Sequence, residues 1–215
     1  MCWQGFEFFS FSVFSPSFPS FNAFFFQPAL LDWVIRLASP PSFIGNLLLN
    51  LALLLFPFAY YCRKNLRREK ILSNLDLRPM GPVRLLAHSL ILFVIGILSA
   101  NLFAAVFCAA DDCDLDRIAQ KAKSQHPLSI LMAASFGPFA EEVFFRGFLR
   151  KKIGNIASSA LFGMAHYAYG SWMLFAAATA YGLILCGYAD EEGNILPGFV
   201  AHLAYNIAAL KMMLG

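Results

Sequence analysis

The sequence predicts an all-α fold, a polytopic bundle of about six membrane-spanning helices with an interfacial helix as one interpretation of the N-terminal segment. Of the 215 residues, 59% are hydrophobic and only 13% are charged, whereas soluble domains carry about 25% charged residues. Several apolar runs also approach the roughly 20 residues that a helix needs to cross a ~30 Å hydrocarbon layer. Together these observations indicate an integral membrane protein.

Six apolar runs follow one another along the chain. The two clearest are Phe43 to Cys62 and Arg84 to Ala110. The other four are shorter or more polar: Leu128 to Phe145, Ile153 to Tyr169, Trp172 to Tyr188, and Ile195 to Leu214. We expect each to form one spanning helix.

The segment 1–42 is rich in Phe, Ser and Pro, and its first basic residue is Arg36. It therefore lacks the positively charged start of a secretory signal, and we expect it to stay attached. Phe24 to Ala38 forms an interfacial amphipathic helix in one interpretation; in the other, the segment is a poorly ordered tail. The rest divides into 43–126, with two helices, and 127–215, with four helices that carry polar motifs.

Short loops rich in Lys and Arg predict the orientation in the membrane. Six basic residues lie between 63 and 78, and Arg150, Lys151 and Lys152 follow the third run, so both loops should be cytoplasmic. The acidic loop around Asp111 to Asp116 should face the other side, where Cys108 and Cys113 are candidates for a disulfide. We interpret the net charge of +3 as a result of the basic loops that set the membrane orientation, and nothing indicates a nucleic-acid partner. Membrane lipids are expected partners, and the basic loop is a candidate contact for anionic headgroups.

Two adjacent glutamates, Glu141 and Glu142, interrupt the third run, and Arg146 follows four residues after the second. An ionisable residue at membrane depth costs roughly 2.5 kcal/mol or more, so the pair indicates a functional site. Residues four apart share a helical face, so Arg146 is expected to neutralise Glu142. Glu141 is then the candidate general base. Gly137 and Pro138 should bend the helix just before the glutamates.

Polar groups at helical spacing occur in two further runs. Phe162 and His166 share one face of the fourth helix, and His202 and Asn206 share one face of the last. Each pair alone is compatible with simple packing between helices. Together with Glu141 they predict one cavity, and their distances along the helices place it in the cytoplasmic half of the membrane.

These three motifs resemble those of the CPBP family, the CAAX-protease and bacteriocin-processing group also called Abi. The resemblance covers roughly Ile130 to Met212. It implies an intramembrane endopeptidase in which Glu141 and His166 activate a water, and His202 and Asn206 hold the oxyanion. Glu142, Arg146 and Phe162 would support the site. The implied substrate is a membrane-associated protein or peptide, with prenylated CAAX proteins as one class.

The family resemblance leaves the cofactor open between Zn²⁺ and none. Glu141, His166 and His202 would be the metal ligands, although the His-Glu-x-x-His spacing of soluble zinc proteases is absent from the sequence. The membrane would be the plasma membrane in a prokaryote and the endoplasmic reticulum in a eukaryote. Two other functions fit the same residues: a non-catalytic scaffold or bacteriocin-immunity protein, and a small transporter that relays protons.

Overall fold

The computed structural model describes residues 43–110 and 112–214, and within these ranges every regular element is helical. This confirms the all-α prediction for the described part of the chain. The interfacial helix expected at Phe24 to Ala38 lies outside the described residues. The elements before the polar motifs are α1 (Phe43–Cys62), α2 (Arg68–Asn74), α3 (Pro82–Ala109), α4 (Leu115–Lys123) and α5 (Pro127–Ala133). The elements that carry the motifs are α6 (Phe136–Glu141), a π-helix (Glu142–Leu149), α7 (Arg150–Ile153), α8 (Asn155–His166), a 3₁₀ turn (Tyr167–Tyr169), α9 (Trp172–Glu192) and α10 (Leu196–Leu214).

Among the described helices, α1, α3 and α9 are long and apolar enough to cross a membrane. The pair Pro127–Ala133 and Phe136–Ile153, bent by 45°, adds a fourth span if it is counted as one. The expected six spans are therefore not confirmed. Helix α8 has 12 residues and is about 18 Å long, too short for a ~30 Å layer. In α10, His202 and Asn206 interrupt the apolar run.

The bend in the third span lies between Ala133 and Phe136, slightly before the expected Gly137-Pro138. Pro138 occupies the first turn of α6, where a missing N–H breaks no helical hydrogen bond. Gly137 permits the tight turn, because a Cβ there would lie 3.1 Å from the carbonyl oxygen of Met132. Proline and glycine thus start a new helix rather than bend an existing one.

Ion pairs and hydrogen bonds define two ends of the bundle. At the first, which we call the basic end, Arg150 contacts Asp76 at 2.5 Å and the N–H of Ile195 donates to the carbonyl of Asp76 at 3.0 Å. At the second, the α4 end, Arg117 donates to the carbonyl of Gly170 at 3.1 Å. Helices α1, α7 and α9 finish at the basic end, and α8 and α10 begin there. The expected disulfide between Cys108 and Cys113 is present after α3.

Small residues bring the helices around the motifs into close contact. A Cβ on Gly163 of α8 would lie 2.0 Å from Thr179 Oγ1 of α9, and one on Gly147 would lie 2.8 Å from the carbonyl of Leu75. Small residues at helix interfaces let backbones approach closely in membranes. The π-helix therefore packs closely on the loop after α2, and α8 packs closely on α9.

Candidate active site

The two adjacent glutamates lie at the junction of α6 and the π-helix and differ in environment. Glu142 is only 1% exposed, whereas 26% of the Glu141 side chain is exposed. A π-helix closes its hydrogen bonds five residues apart and is frequent at functional sites. This geometry directs Glu142 into the packed core and leaves Glu141 accessible.

Arg146 forms the predicted ion pair with Glu142, with 3.1 Å between Nη1 of Arg146 and Oε1 of Glu142. Both side chains are 1% exposed, so each charge is compensated within the protein, as burial requires. The guanidinium carbon also lies 3.9 Å from the centre of the Phe162 ring. A cation over an aromatic face is attracted by the electrons of the ring. Phe162 is thus a second support for the buried arginine.

His202 lies between the two glutamates. Its Nδ1 is 3.0 Å from Oε1 of Glu142, and its Nε2 is 3.7 Å from Oε2 of Glu141. A carboxylate only accepts hydrogen bonds, so Nδ1 carries the proton in the contact with Glu142. The ring is 2% exposed. Glu142 therefore sets the orientation of His202 and directs its Nε2 toward the accessible Glu141.

His166 is the last residue of α8 and packs on Phe162, with 4.4 Å between the ring centres. Its Nδ1 lies 2.9 Å from the carbonyl oxygen of Phe162. Because a carbonyl only accepts, Nδ1 is the donor, and the neutral ring keeps its lone pair on Nε2. His166 is therefore prepared to accept a proton near Glu141.

Asn206 is engaged outside this group of residues. Its Nδ2 donates to the carbonyl oxygen of Ala133 at 2.8 Å. Ala133 ends α5 at the bend, where a carbonyl loses its partner in the next helical turn. The structure thus brings together six of the seven predicted residues, namely Glu141, Glu142, Arg146, Phe162, His166 and His202. Asn206 is adjacent and stabilises the bend.

The candidate metal ligands Glu141, His166 and His202 lie in the same part of the structure but are not arranged as a metal site. Among the described residues, no group of three or more His, Cys, Asp or Glu side chains has an arrangement that could hold a metal ion. In both histidines Nδ1 is bonded, to Glu142 in His202 and to a backbone carbonyl in His166, and Nε2 is the nitrogen left available. As placed in this structure, these residues do not fit the zinc site that was one of the two alternatives.

Two neighbours of the site were not predicted from the sequence. The Tyr181 ring lies 6.1 Å from the His202 ring, and its buried hydroxyl has no hydrogen-bond partner among the described residues. A Cβ on Gly198 would lie 3.4 Å from Oε2 of Glu142. Gly198 precedes His202 by four residues, so helical spacing could have revealed it. Tyr181 belongs to no motif, and only the fold shows its position.

The depth of the site differs from the sequence estimate. The helical path from Glu141 continues to Ile153, which places the carboxylate about 18 Å from the basic end rather than about 10 Å. Toward that end, Glu142 is followed by the buried Arg146, and the buried Leu75 lies against Gly147. The accessible carboxylate therefore lies near the middle of the bundle.

Comparison with known protein families gives a match that includes this group of residues. Residues 123–208 match the model of a family described as Rce1-like, type II CAAX prenyl endopeptidase. This region is similar to that family, and we call it the Rce1-like region. The Rce1-like region begins at the end of α4 and contains all seven predicted site residues, in agreement with the resemblance to CAAX proteases. It covers less than half of the chain, and α1 to α3 precede it.

A segment of 65 residues is 38% identical to the "Uncharacterized protein YpbD" of Bacillus subtilis (strain 168). It covers 30% of this chain and 34% of that protein, so the match spans about a third of the relative's length. No solved structure matches the chain. The geometry of the Rce1-like region is therefore the main indication of its role.

Proposed function

We propose that this protein is an intramembrane endopeptidase of the CAAX-protease type. It hydrolyses a peptide bond in a membrane-associated protein or peptide, with prenylated proteins as one substrate class. The observation that carries the proposal is the placement of His202 between the buried Glu142 and the accessible Glu141. The match of residues 123–208 to the Rce1-like family supports it.

Glu141 and His166 are the proposed acceptors for the proton of the attacking water. Peptide hydrolysis requires a positioned base. The Glu141 carboxylate can take up a proton, and so can Nε2 of His166, because the Nδ1–H of that ring is bonded to the Phe162 carbonyl. The water oxygen bonds to the carbonyl carbon as its proton moves to this pair. The same proton then passes to the leaving amine as the C–N bond breaks.

His202 and Asn206 are the proposed donors for the oxyanion of the tetrahedral intermediate. Nε2 of His202 donates only when the ring carries both protons, with Nδ1–H held by Glu142. Asn206 must exchange the carbonyl of Ala133 for the oxyanion, so its contribution requires a movement at the bend. Donors aimed at developing charge are usually the largest source of rate enhancement.

The experiment is cleavage of a peptide panel by purified protein in lipid vesicles. The panel pairs prenylated CAAX peptides with the same peptides unmodified. Glu141→Gln should lower kcat by about 10²- to 10⁴-fold, the usual contribution of a general base. Glu191→Gln, an exposed glutamate in α9, is the charge-matched control and should cleave normally.

Cleavage that survives Glu141→Gln would refute the proposed base. If no peptide is cut while the protein is folded, the scaffold or immunity role becomes the better explanation. Proton flux that depends on Glu141 would instead indicate the transporter. A parallel assay with chelator tests the cofactor, and activity that persists there supports the glutamate-type mechanism.

A further inference from the structure

An apolar groove lies at the basic end, between α1, α2 and α6, with a volume of about 540 Å³. Phe58 and Cys62 of α1 form one wall, and Ile71 and Leu72 of α2 form another. Phe139 of α6 closes the inner end. Such a lining favours a hydrocarbon ligand, because burying apolar surface is its main source of binding energy.

The outer rim of this groove is strongly basic. Arg68 is part of the lining itself. Four more cations are exposed beside it in the loop and the start of α2: Arg63, Lys64, Arg67 and Lys70. Within the described part of the chain, no ion pair forms at Arg68 or at any of these four residues. Glu69 is the single acidic residue in 63–70, so the rim has a large uncompensated positive charge.

We propose that this groove binds an anionic membrane phospholipid, with one acyl chain along the apolar walls and the phosphate at Arg68. The charge of the rim is complementary to a phosphodiester, and basic pockets between helices on the cytoplasmic side are known to suit such headgroups. Ile71 and Leu75, both buried, anchor α2. This anchoring keeps Arg68 at the mouth of the groove.

Two other occupants fit the observations less well. The N-terminal segment joins the chain at Phe43, at the opposite end of the 20-residue helix α1 and about 30 Å from Cys62. Its only charged residues are Glu7, Asp32 and Arg36, too little negative charge to compensate the rim. The isoprenoid of a substrate would fill the apolar walls but leave the cations without a partner.

The test is lipid binding to the purified full-length protein, measured by native mass spectrometry with added phosphatidylglycerol or phosphatidylcholine. Wild type should retain phosphatidylglycerol preferentially. Arg68→Gln should weaken phosphatidylglycerol binding about fivefold, the effect of one cation near an anionic surface. Leu72→Trp, which fills the groove, should weaken both lipids. The matched controls are the exposed residues Lys211 and Leu86, and Lys211→Gln and Leu86→Trp should bind as wild type does.

Equal retention of the two lipids by wild type would overturn the proposal, as would binding that survives both groove variants. Stronger lipid binding after removal of residues 1–42 would assign the groove to that segment. Displacement of lipid by a farnesylated peptide, unaffected by Arg68→Gln, would assign it to substrate. Lipid binding does not depend on catalysis, so Glu141→Gln should retain lipid even if the proposed peptidase activity fails.

Discussion

At the scale of single residues, the Phe162 ring is the common contact of the site. It supports the Arg146 guanidinium at 3.9 Å and lies next to the rings of His166 and His202. Its carbonyl also fixes the proton on His166. One buried aromatic residue thus positions both histidines and the cation that neutralises Glu142.

The two glutamates should differ in their effects on stability. Glu142→Gln removes the charge that compensates the buried Arg146, so the free energy of unfolding should fall by about 3–5 kcal/mol. Glu141→Gln should change it by less than about 1 kcal/mol, because that side chain is partly exposed. Unfolding of the purified proteins in a detergent titration measures both. Equal losses would contradict the structural role of Glu142.

Two glycines allow a second comparison: Gly163 lies in the contact between α8 and α9, and Gly187 has open space beside it. Gly163→Ala forces a Cβ against Thr179 Oγ1 and should destabilise by about 1–3 kcal/mol, the usual cost of overpacking. Gly187→Ala in α9 meets no atom within 4 Å. It should be neutral or slightly stabilising, since Ala favours a helix. Thermal unfolding of both variants tests the contact, and similar melting temperatures would refute it.

The sequence could predict local pairs but not distant ones. Glu142 and Arg146 are four residues apart, and helical spacing alone indicates their contact. The bond from His202 to Glu142 joins residues 60 positions apart, and only the packing of α10 on the π-helix reveals it. Asn206 was expected in the site for the same reason. Its partner is the carbonyl of Ala133, which is available only because the helix breaks after Ala133, and the sequence does not show that break.

At the scale of elements, the loop after α2 is tied to the helix that carries the glutamates. Asp76 receives ion pairs from Arg150 and Lys151 at 2.5 and 2.6 Å, and its side chain is 5% exposed. Arg150 also pairs with Asp190 of α9. This buried cluster holds three elements together at the basic end.

Asp76→Asn should therefore destabilise the protein by about 3–5 kcal/mol, because a buried arginine loses its main partner. The control is Arg84→Gln, which breaks the pair with Glu192 where the arginine is 59% exposed. Exposed pairs contribute at most about 1 kcal/mol. Chemical denaturation of the two variants provides the comparison. If Arg84→Gln is the more damaging change, the basic end is not held by Asp76.

Helix α4 is expected to position His166 through the 3₁₀ turn. Lys121 donates to the carbonyl of Ala168, and Arg117 donates to that of Gly170. Lys121→Met should lower kcat several-fold with little change in KM, because the imidazole of His166 loses its fixed position. Lys121→Arg should restore much of the rate. Peptide cleavage kinetics test this, and an unchanged kcat in Lys121→Met would exclude the role.

Helix lengths explain where the element predictions differ from the structure. The run Ile153 to Tyr169 is apolar enough for a span, but Gly154 and Gly170, both at positive φ, delimit a helix and turn that are shorter than the run. The third run also extends further than expected, to Ile153, because the basic residues after Phe145 remain helical. Hydropathy reports apolar length, while caps and ion pairs decide where a helix ends.

At the scale of the whole molecule, the two ends of the bundle carry different chemistry. The basic end has the uncompensated cations of 63–70, and the α4 end has the acidic loop and the disulfide. The distribution of Lys and Arg predicts that the basic end is cytoplasmic. The disulfide agrees with this orientation, since such bonds persist in oxidising compartments.

The side from which substrate reaches Glu141 remains a prediction. The sequence places the opening in the cytoplasmic half, whereas packing between Glu142 and the basic end favours access from the α4 side. A membrane-impermeant maleimide should therefore label Glu141→Cys, in a Cys2→Ser, Cys62→Ser background, from the non-cytoplasmic face. A separate Cys2→Ser protein, which keeps the exposed native Cys62, is the control for the basic end. Labelling of both cysteines from the same face would instead support cytoplasmic access.

The π-helix after Glu141 has a consequence for how the chain tolerates change in length. Because each of its hydrogen bonds spans one residue more than in an α-helix, the segment contains in effect one extra residue. Deleting a single residue between Glu142 and Arg146 would let an ordinary α-helix form and would preserve the apolar composition. It would also shorten the spacing of Glu142 and Arg146 from four residues to three and so change the geometry of their ion pair. Relatives aligned to this region should therefore be compared by counting residues from the glutamates, since a one-residue gap there alters the spacing on which the buried ion pair depends.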